Sequence, residues 1–264
     1  MEIIGYAAAV LIGVSLGLIG GGGSILTVPV LVYLFGVDAF LATEYSLFIV
    51  GISSLVGSVS YFKKGWVNFK MALIFGIPSV ISIFLTRIYL LPFIPEEVLR
   101  IQNFIITRDI FLLLLFATMM ILASYKMIKN SASEKLSERA ANKNNTFLAA
   151  AQGSVVGVLT GLVGAGGGFM IIPALVNLLK IPMKIAIGTS LVIISFNSLI
   201  GFFSSVNHVK IEWELLISIA TIAIAGIIIG SQLSKKIDGK KLKPAFGWFI
   251  LIMGIYIITK EIFL

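Results

Sequence analysis

"GLIGGGGSILTVPVL", residues 17–31, sets four consecutive glycines inside a run otherwise made for lipid. Glycine costs a helix about 1 kcal/mol per residue relative to alanine, so four together break it. Inside a bilayer, the backbone N–H and C=O groups freed by a break must find partners or face a water-filled cavity. The arrangement returns as "GLVGAGGGFMIIPAL", residues 161–175. A break made twice in nearly the same residues belongs to the architecture.

The surroundings of both breaks are apolar. Of 264 residues, 58% are hydrophobic and 12% charged; a soluble domain carries about twice that charged fraction. Mean hydropathy is +1.07, and apolar runs of spanning length recur. The chain therefore reads as all-α, a polytopic transmembrane helical bundle. The start, "MEIIGYAAAVLIGVSLGLI", lacks a basic n-region and a small-residue cleavage site, so it reads as a retained first helix. The formal charge of +8 comes from Lys and Arg in loops, as the positive-inside rule requires, so lipid rather than nucleic acid is the expected partner. Absence of cysteine excludes disulfides, thiolate metal sites and Cys nucleophiles. The single histidine, His208, argues against His-rich metal sites and a Ser-His-Asp triad. No cofactor or metal is expected.

Ten hydrophobic segments follow: 2–19, 24–36, 39–62, 67–91 and 109–128, then 146–163, 168–180, 185–206, 211–234 and 245–263. The second of each half has 13 residues; at 1.5 Å per residue it does not cross a ~30 Å core as a straight helix. Both read as half-helices or re-entrant arms that begin at the glycines, giving about 8–10 membrane segments.

The two halves are repeats. A shift of 144 residues places Gly13 on Gly157, Gly17 on Gly161, Gly20 on Gly164, Pro29 on Pro173 and Ser46 on Ser190. Over residues 13–62 this register gives 19 identities in 50, where apolar composition alone gives roughly five. The organisation is a first transmembrane repeat (1–128), a basic cytoplasmic linker (129–145) and a second repeat (146–264).

Charge orients the repeats. Lys126, Lys129, Lys135, Arg139 and Lys143 put the linker in the cytoplasm, and "YFKKGWVNFK" (61–70) falls on the same side. In the second half the basic loop is "SKKIDGKKLK" (234–243), one loop later than its counterpart. An odd number of crossings per half produces that displacement and makes the repeats inverted, with both termini outside. Trp66 and Trp213 read as interfacial anchors, and residues 92–108 as an amphipathic external loop.

A helix beginning at Ser24 or Gly168 inside the membrane offers up to four unpaired N–H groups and the positive end of its dipole, a ready anion site. Two such ends related by inversion would meet near the midplane, where secondary transporters hold substrate. Gly20, Gly21, Gly22, Gly23 and Ser24 with Pro29, and Gly164, Gly166, Gly167 and Gly168 with Pro173, are the candidate cradle. Each proline lacks a donor and frees a carbonyl in the preceding turn. Gly13, Gly17, Gly157 and Gly161 instead fit small-xxx-small helix packing. No Lys-Ser or Lys-Thr follows the glycines, so this is not a nucleotide P-loop.

The third helix of each half adds matched polar residues, in "ATEYSLFIVGISS" (42–54) and "AIGTSLVIISFNS" (186–198). Ser46 and Ser53 share a face, repeated by Ser190 and Asn197; with Thr189 they either complete an oxyanion site or bond between helices. Glu44 is an acid within an apolar segment, a candidate for coupling to protons, or an interfacial residue near the segment's start. Arg87 and Arg108, near helix ends, read as snorkelling side chains, and His208 as a loop residue.

The paired glycine-proline motifs, each followed by A-x-x-x-S-L (Ala42–Leu47 and Ala186–Leu191), resemble the sulfite exporter TauE/SafE family, also called the 4-toluene sulfonate uptake permease family. The resemblance covers essentially the whole chain. It implies a multi-pass transporter of a bacterial or archaeal plasma (inner) membrane, carrying small sulfur-containing anions such as sulfite or sulfonates. It also implies secondary transport without ATP hydrolysis, with a proton or sodium as coupling ion. Glu44-Tyr45 departs from the Gly188-Thr189 of the second half. Another small anion such as a carboxylate, or a non-transporting membrane scaffold, is the alternative; an enzyme lacks the constellation it needs.

Overall fold

In the computed structural model, residues 2–101, 104–129, 146–164, 166–179, 181–206, 210–234, 237 and 239–263 are described. His208 and nearly all of the basic linker lie outside them. Among the described residues the chain forms ten α-helices. The first half holds α1 (Glu2–Ile19), α2 (Gly22–Phe35), α3 (Ala39–Phe62), α4 (Phe69–Leu85) and α5 (Arg108–Lys129). The second holds α6 (Thr146–Val163), α7 (Gly168–Pro173), α8 (Met183–Ser205), α9 (Trp213–Leu233) and α10 (Gly239–Phe263).

Local chemistry sets several of these ends. The Asp38 carboxylate accepts from the N–H groups of Phe40 and Leu41 and starts α3. The Asn68 side chain does the same for Met71 at the head of α4. Gly36, left-handed at φ 69°, closes α2. Two segments run on as π-turns: α4 through Thr86–Leu90 and α7 through Ala174–Leu178.

Among the described residues six helices (α3, α4 with its continuation, α5, α6, α8 and α9) are long and apolar enough to cross a bilayer. Large apolar side chains such as Leu73, Ile77, Phe203, Ile217 and Ile252 are exposed on the outside of the bundle, as lipid requires. The chain is a multi-pass helical membrane protein. Burial within the spans separates centre from rim: 67% for α3 and 72% for α8 against 33% for α5. The third helix of each half is thus the axis of the molecule.

Packing follows the repeat. α1 lies against α9 as α6 lies against α4, and α3 meets α9 as α8 meets α4. α3 pairs with α8, and α5 with α10. Glycines make the approaches: a Cβ on Gly13 would run into the Ala223 carbonyl, and one on Gly157 into the Ser79 carbonyl. Residues 79 and 223 are also related by the shift of 144. Close backbone contact through small residues is the usual source of helix association where lipid removes the hydrophobic drive.

Residues 92–108 differ from the expected loop. β1 (Glu97–Ile101) pairs antiparallel with β2 (Phe104–Thr107), Leu99 opposite Ile106. The branched residues Val98, Ile101, Ile105, Ile106 and Thr107 favour extended backbone, and amphipathic patterning alone did not separate the two.

Candidate functional site

Both glycine stretches break the helix. α1 stops at Ile19, Gly20 turns at φ 77°, and α2 restarts at Gly22. α6 stops at Val163, Gly164 turns at φ 71°, and α7 restarts at Gly168 after Gly166 and Gly167, both left-handed. Positive φ is costly for any residue with a Cβ. Neither Gly21 nor Gly167, the residues preceding the new helices, supplies a side-chain cap.

The two heads meet. A Cβ on Gly168 would lie 2.7 Å from Gly21 Cα and 3.2 Å from Ser24 Oγ. Ser24 and Thr27 turn their hydroxyls back to the carbonyls of Gly21 and Gly23. Pro29 sits within α2, which continues as regular helix, whereas Pro173 ends α7 and leads into its π-turn.

α3 and α8 flank the junction with buried polar groups. Ser46, Ser53, Ser54 and Ser198 have hydroxyls without a hydrogen-bond partner, as do Thr160 and the Asn197 carbonyl. All six residues are at most 1% exposed. Buried polar groups are nearly always paired, so this concentration on α3, α6 and α8 is the strongest sign of a site. Two of them border the glycines: a Cβ on Gly166 would lie 2.6 Å from Ser198 Oγ, and one on Gly167 would collide with the Thr160 hydroxyl.

Other candidates are already engaged. Ser190 donates to the Ile187 carbonyl at 2.8 Å and is 3.2 Å from the Gly20 carbonyl, so it borders the first break from α8. Asn197 donates to Ser79 Oγ at 2.8 Å. Thr189 faces elsewhere: its Oγ1 accepts from Asn68 N–H at the start of α4. Tyr45, its counterpart by the shift of 144, accepts from Glu212 N–H at the start of α9. At this pair of positions the halves differ in residue and keep the task.

Arg87 overturns an expectation. Its guanidinium is buried, not snorkelling, and its Nη1 is paired with Glu44 Oε1. Nη1 also donates to Ser205 Oγ at 2.9 Å, and Ser205 donates to Glu44 Oε2 at 2.7 Å. Glu44 is fully buried and does not reach an interface. The π-turn after α4 swings Arg87 inward, which counting residues from a helix end does not anticipate. Arg108, by contrast, covers the Phe40 ring at 4.3 Å. An arginine in the apolar run 67–91 was the available signal for Arg87; for Ser205 and Thr160 the sequence offered none.

An apolar hollow of about 370 Å³ lies between α5, α6 and α7, lined by Met119, Leu122, Val155, Met170 and Pro173. It is on the flank of α7, away from the junction of the two heads.

The family model described as Sulfite exporter TauE/SafE matches residues 5–257. A probable membrane transporter protein of Xylella fastidiosa is 29% identical, over 98% of this chain and 95% of its own. The probable membrane transporter protein YunE of Bacillus subtilis is 26% identical over 93% of each. One from Methanocaldococcus jannaschii is 27% identical, over 97% of this chain and 93% of its own. No solved structure matches at the level at which these relatives do.

Proposed function

Because this chain belongs to the sulfite exporter TauE/SafE family, we propose that it is a secondary transporter of small sulfur-containing anions such as sulfite or sulfonates. The anion sits where the heads of α2 and α7 meet. The observation that carries this reading is the convergence of two uncapped helix heads with partnerless buried hydroxyls around them. Backbone N–H groups of Gly21–Ser24 and Gly166–Gly168 supply positive potential without a fixed charge. Ser46, Ser53 and the neighbouring hydroxyls complete the oxygen contacts.

The exchange of packing partners between the halves supports an inverted pair whose rocking alternates access. In this reading Glu44 couples the anion to a proton, and the membrane is the plasma membrane of a bacterium or archaeon. The test is flux of radiolabelled sulfite and ethanesulfonate into proteoliposomes, with acetate as competitor. Saturable uptake of a sulfur anion that acetate inhibits weakly is expected. Uptake indistinguishable from empty vesicles, or stronger inhibition by acetate than by unlabelled sulfite, would defeat the proposal.

A further inference from the structure

Arg87 uses only part of its guanidinium. Nη1 is committed to Glu44 and Ser205, while Nε and Nη2 have no partner although the side chain is fully buried. Nε–H and one Nη2–H point the same way and form the side edge of the fork, spaced to take two oxygens of one oxyanion. Nη2 lies beside the second glycine break: a Cβ on Gly164 would be 3.0 Å from it.

The repeat sharpens the point. At the first break the polar neighbour of Gly20 is instead Ser190 Oγ, 2.9 Å from a Cβ built there. Position 87 corresponds to Ser231 and position 44 to Gly188, so both members of the ion pair are absent from the other half. The site is therefore asymmetric, and among the described residues its one buried positive charge is at the α6–α7 break.

Resting on the transport reading above, we infer that Arg87 is the residue that grips the substrate: its Nε–Nη2 edge binds a small oxyanion bidentately beside Gly164. Glu44 and Ser205 are positioning residues that hold Nη1 and turn the edge inward. Glu44 also sets the strength of the grip. The Glu44 carboxylate repels a bound anion, so a neutral amide in its place holds a small oxyanion more tightly.

The experiment is isothermal titration of purified full-length protein with sulfite and with ethanesulfonate, alongside thermal melting. Arg87→Gln alone leaves a buried carboxylate unpaired, so the decisive variant is R87Q/E44Q, which removes both charges together. It is expected to melt near the wild type and to bind either probe at least about thirtyfold more weakly. Glu44→Gln alone keeps an oxygen against Nη1 and is expected to bind about tenfold more tightly, which a purely structural ion pair would not produce.

The inference falls if a folded R87Q/E44Q protein binds both probes within threefold of wild type, or if Glu44→Gln does not tighten binding. The transport reading survives that failure provided wild-type protein still binds and carries a sulfur anion. If wild type binds neither probe, both fall.

Discussion

Gly21 and Gly168 lie in direct backbone contact, Gly21 Cα only 2.7 Å from where a Cβ on Gly168 would begin. The two interrupted helices therefore start against each other, and neither position has room for a methyl group. Gly168→Ala adds overpacking of about 1–3 kcal/mol at the junction and should lower sulfite or ethanesulfonate flux by about tenfold or more. Gly36 serves as control. Unlike Gly168 it is left-handed, and a Cβ there meets nothing within 4 Å. Gly36→Ala should lower the melting temperature through strain of about 1 kcal/mol while flux per folded molecule stays as it was. Equal flux loss in both variants would mean the junction has no special role.

The partnerless hydroxyls make an opposite trade between stability and affinity. A buried polar group without a partner costs about 1–3 kcal/mol, so Ser53→Ala and Ser198→Ala should be at least as stable as wild type. Each should raise the KM for transport severalfold. Melting and uptake kinetics on the same preparations decide this. A drop in stability with unchanged KM would make the hydroxyls helix glue.

Proton dependence isolates Glu44. The groups that face its carboxylate are Arg87, from the turn after α4, and Ser205, from α8. With Glu44 as the proposed coupling group, uptake should rise as the outside pH falls. Glu44→Gln should remove that slope and drive uptake equally well with and without an imposed pH gradient. A slope of wild-type steepness in the variant would assign coupling to another group.

The repeat predicts paired stability effects. Gly13→Ala pushes a methyl group into the Ala223 carbonyl, and Gly157→Ala pushes one into the Ser79 carbonyl. Both should destabilise the folded protein by about 1–3 kcal/mol, to similar extents, with KM unchanged in the molecules that remain folded. A large inequality in melting would show that the α1–α9 and α4–α6 seams are not energetic equivalents.

Legibility divides along the range of the interactions. Segment boundaries, the duplication and both helix breaks were readable, because apolar runs, a fixed register of 144 and polyglycine act within a few turns of chain. Glu44 was readable as an anomaly for the same reason: a charge in lipid is out of place wherever it points. Its partner was not. Arg87 is 43 residues away and reaches Glu44 through a π-turn, and Ser205 is 161 residues away. Thr189 shows the converse, a candidate taken beside the matched pair Ser190 and Asn197 whose hydroxyl is spent on Asn68.

By itself, then, the sequence determined a duplicated membrane bundle broken twice at glycine, since helix-forming and helix-breaking energies are local and lipid punishes every exposed amide. Tertiary structure alone decided that the two broken ends touch, that Arg87 turns inward, and which hydroxyls are left without partners. Those outcomes depend on how α3 and α8 pack between the halves, and packing brings together groups that no local pattern connects.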